Sequence, residues 1–183
     1  MLEHSLIEHA SPTLARLKTG SLFNIYHESE EGIKKEIRRM NRDLAPKGLV
    51  LTVLRMDKNR ALLYLFRCAH LLLHLAKSEV QKFLAAHGYN RFSVADALKT
   101  LRNRIAALGD FPHEIGIFLD YPLSDVVDFI RHKGQNSRLT GVWKVYSNEN
   151  DAMKTFARFK KCKDVYRRQY QSGRPISRLA VAT

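Results

Sequence analysis

The sequence predicts an α/β fold, a single-domain sandwich over residues 1–183 in which a mixed β-sheet of about five strands carries packed helices. Three observations lead there. Segments with an apolar residue every three or four positions alternate with short apolar runs of strand length. Two such runs, residues 49–54 and 61–66, flank the polar stretch 56–60 and read as a hairpin. A chain of 183 residues, 45% of them apolar, can bury about two-thirds of the surface its unfolded form exposes, enough for one core without metal or disulfide staples.

Taken in order, residues 3–18 are a helix candidate broken by Pro12, and Gly20 turns the chain into a strand over 21–26. From Ser29, Ile33, Ile37, Met40 and Leu44 recur at four, three and four residues, which stacks them on one helical face that ends near Pro46 and Gly48. After the hairpin, residues 68–87 are helical by length and composition and stop at Gly88. Ser93 opens another helix, with Val94, Ala97, Leu98, Leu101, Ile105 and Leu108 at helical spacing and Gly109 closing it. Residues 113–119 look like a buried strand, and Pro122 fits the first turn of the helix that follows, where its missing N–H costs nothing. Residues 141–146 alternate with period two. That pattern sets Val142, Lys144 and Tyr146 on one face and Trp143 with Val145 on the other. Ser147 or Asn148 then caps a basic C-terminal helix at about residues 149–171.

The formal net charge of +13 is unevenly spread. Residues 152–183 carry nine bases against Asp164 alone, and Lys34, Lys35, Arg38, Arg39 and Arg42 cluster on a helix. A phosphate-bearing partner and a merely solvated face both fit this charge. If the partner is RNA or another nucleic acid, Lys154, Arg158, Lys161 and Arg168, with Lys34, Lys35 and Arg38, are the residues to contact it. On the C-terminal helix Ala152, Phe156, Phe159, Tyr166 and Tyr170 share one face and are expected to pack, which leaves no stacking platform for unpaired bases.

Two cysteines, Cys68 and Cys162, cannot make a disulfide scaffold or a four-thiolate zinc site. With no basic, apolar export signal at the N-terminus, a reducing, cytoplasmic location is expected. No stretch approaches the ~20 apolar residues of a membrane span. His70 and His74 have metal-ligand spacing but lack the glutamate of the zinc-protease motif. A helical wheel sets them with Lys77 and Gln81, opposite Leu72, Val80 and Phe83, so a solvated face is expected and no metal site. Cys68 reads as a small buried residue. Cys162 sits among Lys160, Lys161 and Lys163, which would lower an exposed thiol's pKa, and a purely structural role stands beside that reading. The common phosphate-loop, dinucleotide, hydrolase and thioredoxin-type motifs do not occur.

The near-neutral middle of the chain holds the residue types that acid–base chemistry and anion binding need. His113 and Glu114 at a strand start could move a proton, or could simply fix the turn, and Tyr121 follows at the other end. Lys144 and Tyr146 on one face, just before a helix N-terminus, could hold a carboxylate or phosphate, with Trp143 alongside.

The block from Phe111 to Leu123, followed by Asp125-Val126, Phe129-Ile130 and residues 141–146, resembles a bacterial family catalogued as domain of unknown function 3793, small proteins found mainly in anaerobes such as clostridia. Further matches are Pro12-Thr13-Leu14, Lys18, Leu22-Phe23, Gly88-Tyr89, Lys161-Cys162, Tyr166 and Gly173, so the likeness spans nearly the whole chain. Two glycines of the family pattern are replaced. Arg16 ends the stretch that the family writes Ala-Pro-Thr-Leu-Ala-Gly, and Asp120 stands in its Leu-Gly-Tyr-Pro; a cysteine that precedes the first stretch is also missing. The family has no assigned activity. What the resemblance implies is a site map: His113, Glu114, Tyr121, Trp143, Lys144, Tyr146 and Cys162 on one surface, with Thr13 and Lys18 as added ligand contacts. It also carries a faint link to iron or flavodoxin-dependent metabolism. The functional expectation is thus a small-ligand protein for an anionic metabolite or cofactor of unknown identity, with catalysis left open. Nucleic-acid binding and a protein-partner scaffold are the alternatives. The oligomeric state is not legible.

Overall fold

The structure, a computed structural model, describes residues 2–107 and 111–182. Its centre is a three-stranded antiparallel sheet in the order β1 (Gly20–Tyr26), β3 (Arg60–Arg67), β2 (Leu49–Met56). The middle strand β3 is buried along almost its full length because helices cover both faces of the sheet. Ala61, Leu63 and Leu65 point to one side, where they meet α1 (Leu2–Leu14), α2 (Glu30–Leu44), Tyr166 and Tyr170 of α8 (Glu149–Gln171), and α9 (Ile176–Leu179). Leu62, Tyr64 and Phe66 point to the other, toward α3 (Cys68–Leu75), α4 (Ser78–Ala85), α5 (Val94–Ala107), α6 (Ile115–Phe118) and α7 (Leu123–Arg131). The period-two side-chain alternation of one strand thereby divides the apolar residues into two cores.

The hairpin, α2 and α8 form as their patterns require. Ile33, Ile37, Met40 and Leu44 are all buried, Ser29 accepts the Gly32 N–H at the start of α2, and Asn148 accepts the Asp151 N–H at the start of α8. Strand β2 lies at the edge of the sheet, and side chains cover its outward backbone. The Asn41 amide pairs with both the N–H and the C=O of Leu51 at 2.8 Å. Arg102 donates to the Val53 carbonyl at 2.9 Å beside the register shift between Val53 and Arg55. This blunts an edge that would otherwise offer its backbone to a second chain.

Other expectations are corrected. The expected mixed sheet of about five strands is a three-stranded antiparallel sheet plus a separate two-residue hairpin, β4 (Leu139–Thr140) with β5 (Lys144–Val145). Residues 115–118 form the single turn α6 rather than a strand. Ile115, Gly116, Ile117 and Phe118 are all buried, and a short, wholly buried run has no periodicity by which helix and strand could be told apart. Gly116 matters here, since a Cβ on it would come within 2.7 Å of Val126, so its absence lets α7 pack against α6. In residues 141–146 only Lys144 and Val145 pair, because Val142 and Trp143 form the bend of the hairpin.

The helix expected over 68–87 breaks at Ala76 and Lys77, where Lys77 takes an extended conformation. The break resets the helical phase. Leu71 and Leu75 turn inward, Leu72 and Leu73 are exposed, and His74 is half-buried instead of lying on a solvated stripe. Cys68 is exposed rather than buried. The first helix runs through Pro12 and ends at Leu14. Leu108 and Gly109, expected to close α5, lie outside the described residues.

The end of α1 is held by a residue that no pattern marked. Arg67, at the end of β3, is fully buried and has no carboxylate partner among the described residues. Its guanidinium donates to the carbonyls of Thr13 (2.8 Å), Leu14 (2.7 Å), Val181 (2.8 Å) and Lys47 (3.4 Å). The last carbonyls of a helix lack intrahelical donors and carry the negative end of its dipole, so a buried cation is stabilised there.

Candidate functional site

After α6 the chain turns sharply at Asp120, a non-glycine residue at φ 62°, and the Tyr121 N–H returns to the Gly116 carbonyl at 2.9 Å. This brings Tyr121 against the hairpin. Pro122 occupies the cap position before α7, and Asp125 in the first turn of α7 becomes the organising residue. It is 3% exposed. Its carboxylate accepts hydrogen bonds from Trp143 Nε1 (2.8 Å), the Tyr146 N–H (2.9 Å), the Ser147 N–H (3.2 Å) and Ser147 Oγ (3.0 Å). Four donors satisfy one buried charge and tie the hairpin and the start of α8 to α7.

The indole so fixed stacks on Tyr121 (ring centroids 5.2 Å apart, planes 30° apart) and takes the edge of Phe156 (4.6 Å, 78°). Gly141 leaves the space that the Phe156 ring fills. The Tyr121 hydroxyl donates to the Val142 carbonyl at 3.1 Å, and burial pushes its pKa up to about 12, so the phenol stays protonated.

These contacts frame a cavity of about 360 Å³ between α6, α7 and the hairpin. Ile115, Val126, Phe129, Val142, Tyr121 and Trp143 make it largely apolar and aromatic, and His113 and Lys144 bring the nitrogens. His113 meets Phe129 edge-on at 5.0 Å, and Lys144 Nζ donates to the Gly134 carbonyl. A flat group can lie along the Tyr121–Trp143 wall while an acidic group meets Lys144 or His113.

Four of the residues proposed from sequence, His113, Tyr121, Trp143 and Lys144, therefore line one cavity. The others lie elsewhere. Glu114 is 2% exposed, ion-paired with Arg104 and accepting from the Tyr89 hydroxyl at 3.3 Å, so it is engaged away from His113. Tyr146 is buried and stacks on His132 at 5.5 Å, and its hydroxyl has no partner among the described residues. The alternation that paired Tyr146 with Lys144 does not hold, because β5 ends at Val145 and the Tyr146 N–H turns to Asp125. Thr13 shares a 2.8 Å hydrogen bond with Ser21 inside the first core. Lys18 is buried with its Nζ 5.1 Å from the centre of the Tyr121 ring. Cys162 is half-buried on α8, where burial pushes its thiol pKa up to about 11, opposite to the lowering expected from its lysine neighbours. Asp125 and Phe129 complete the cavity. An aspartate in the first turn of a helix is too common for sequence alone to single it out.

The basic helices are partly neutralised. Lys154 pairs with Asp151, Lys160 with Asp164, and Lys163 and Arg167 with Glu8 of α1. Lys161 and Arg168 are exposed and make no ion pair among the described residues, and Arg158 lines a second, polar cavity of about 440 Å³ beside Trp143. Lys34 pairs with Glu30, while Lys35, Arg38 and Arg42 line a groove on α2 together with Glu36 and with Arg39, which pairs with Glu3 at 3.2 Å.

A model of one protein family, described as a protein of unknown function (DUF3793), matches residues 6–180. The chain belongs to this family. No curated protein and no solved structure matches it. The family's description assigns it no function. Arg16 and Asp120 both sit in the left-handed region, at φ 63° and 62°, a conformation that glycine adopts at least cost. Among the described residues no helix is long and apolar enough to cross a membrane, and no three His, Cys, Asp or Glu side chains are grouped to hold a metal ion.

Proposed function

We propose that this protein binds a small anionic ligand with a flat, unsaturated body in the cavity between α6, α7 and the β4–β5 hairpin. The observation that carries the reading is the rigid Tyr121–Trp143 wall, fixed by Asp125, facing a pocket whose nitrogens come from Lys144 and His113. The aromatic faces supply most of the contact area, and Lys144 supplies the charge that selects an acid over a neutral analogue. Binding is better supported than turnover. Glu114, the carboxylate expected to work with His113, is held by Arg104 and Tyr89, and the Tyr121 phenol is held protonated. If a reaction occurs, His113 is the group placed to move a proton. A cytoplasmic location is part of this proposal.

Trp143 is the chain's single tryptophan and reports on its own site. Titration with benzoate and nicotinate should change its fluorescence, and the corresponding amides should bind more weakly. Lys144→Met should abolish the preference for acids, a loss of roughly tenfold in affinity, or about 1.4 kcal/mol. Acids and amides binding alike to both proteins, or not at all, would overturn the reading.

The groove on α2, where Lys35, Arg38 and Arg42 outnumber Glu36 and where Arg39 is paired with Glu3, supports nucleic-acid binding as the second reading. Its signature would be an affinity that falls with salt at a log–log slope of roughly −0.7 to −0.9 per phosphate contacted. A flat salt response would remove it.

A further inference from the structure

The polar cavity of about 440 Å³ shares Trp143 and Asp125 with the aromatic one, and its remaining walls come from the start of α7, the first half of α8 and the turn at Asp120. Its volume falls within the roughly 300–1,000 Å³ of small-molecule sites. Asp125 and Ala152 are buried in it, Trp143 and Phe159 are half-buried and offer apolar surface, and Asp120, Asp151 and Arg158 are exposed.

The hydrogen bonds already made inside the cavity decide what it can still offer. Ser147 Oγ gives its single proton to Asp125 at 3.0 Å, and Thr155 Oγ1 gives its own to the Asp151 carbonyl at 2.9 Å, so both hydroxyls are left with lone pairs alone. Asp120 receives the Thr19 N–H on Oδ2 at 3.1 Å, and its Oδ1 takes no hydrogen bond among the described residues. Asp151 Oδ1 faces Lys154 at 3.8 Å, beyond hydrogen-bond range. Against these acceptors stand two donors. One is the Arg158 guanidinium, which makes no hydrogen bond or ion pair among the described residues. The other is the second hydrogen of the Asn148 amide, whose first goes to Asp151 Oδ2 at 2.6 Å.

This inventory discriminates between ligand classes. A carboxylate or a fully ionised phosphate only accepts, and it would face Asp120, Asp125 and Asp151. An ammonium only donates, and it would leave Arg158 beside a like charge. An alcohol hydroxyl donates and accepts. We infer that the cavity binds a neutral polyol of the sugar class. Its hydroxyls donate to Asp120 Oδ1 and to the Ser147 and Thr155 oxygens and accept from Arg158, while its C–H face lies on Trp143 and Phe159. Neither Lys144 nor His113 lines this cavity, so the inference stands whether or not the aromatic cavity holds an acid.

Glucose and ribose serve as probes, with glucuronate and glucosamine as the charged counterparts of glucose, followed in ¹H–¹⁵N spectra by the Thr155 amide and the Arg158 Nε–H. Both neutral sugars should shift these signals in a saturable manner, and glucose should bind more tightly than either charged counterpart. Asp120→Asn suits the left-handed backbone and keeps an oxygen for the Thr19 N–H, so it should fold. It and Arg158→Met should each weaken glucose about tenfold, and Thr155→Val about fivefold. Lys144→Met should bind glucose as the unaltered protein does. No saturable shift with either neutral sugar, a preference for glucuronate or glucosamine, or glucose binding unchanged in both Asp120→Asn and Arg158→Met would overturn the inference.

Discussion

Replacing Arg67 by methionine should be among the most damaging single changes outside the apolar cores. Methionine keeps most of the aliphatic length, so the cavity left behind is small and the loss falls on the hydrogen bonds. Three of these, to the carbonyls of Thr13, Leu14 and Val181, are 2.7–2.8 Å long. A hydrogen bond involving a charged group contributes about 1.5 kcal/mol at the low end, so the three together come to about 4.5 kcal/mol. Part of this is offset, because removing a buried guanidinium also removes its desolvation cost. A net loss of about 3 kcal/mol is expected, which at roughly 2–4 °C per kcal/mol lowers the Tm by about 6–12 °C. The clamp joins the end of α1 to the C-terminal segment, so hydrogen exchange should speed up at Ala15 to Leu17 and at Val181 before the rest of the chain responds. Arg67→Lys, with one ammonium in place of a planar fork, should fall between the two proteins. A stability change below about 1 kcal/mol would refute the reasoning and mean that the carbonyls find other donors.

The Glu8 carboxylate, held down to about 2 mainly by its hydrogen bond with Arg167, ties α8 to α1. Its folded pKa lies below the unfolded one. The pair therefore contributes its full stability above about 4.5 and loses it as the pH falls toward 2. Glu8→Gln should cost about 1 kcal/mol at pH 7, and thermal melts of the two proteins should converge as the solution is acidified; a constant gap would contradict the assignment. Iodoacetamide followed by mass spectrometry should label exposed Cys68 well before Cys162, whose thiol pKa burial pushes up to about 11; equal rates would show that Cys162 is more open than its packing indicates. Arg16→Gly relieves a left-handed backbone at the cost of one 3.5 Å contact with His70 and should stabilise by about 0.5 kcal/mol in chemical denaturation, whereas a net loss would mean the contact dominates.

Legibility in the sequence followed the range of the interactions. The hairpin, the amphipathic face of α2 and the capped start of α8 depend on neighbours a few residues away, and their spacing announced them. Residues 115–118 did not, because a turn of helix buried on all sides and a buried strand both read as an apolar run. The hairpin bend at Trp143 depends on a hydrogen bond to Asp125, 18 residues distant, and the clamp at Arg67 on carbonyls up to 114 residues away. Neither leaves a local signature. The cavity was half legible for the same reason. Its aromatic and basic residues stood out by type, but which of them share a surface was decided by Asp125, and Glu114 and Tyr146 are sequence neighbours of cavity residues that turn away from it. Arg16 and Asp120 leave no local signature of their left-handed conformations either, although the Asp120 carboxylate takes the Thr19 N–H beside Lys18, 101 residues away.

The central claim is that the Tyr121–Trp143 cavity holds a small acid. Native mass spectrometry of the freshly purified protein, compared with Lys144→Met prepared identically, tests it most directly. The account predicts a one-to-one complex with a molecule of a few hundred daltons or less, released on denaturation and lost or strongly depleted in the variant. Ligand-free protein in both preparations that also fails to take up benzoate or nicotinate would contradict it, as would a nucleic-acid adduct that disappears at high salt.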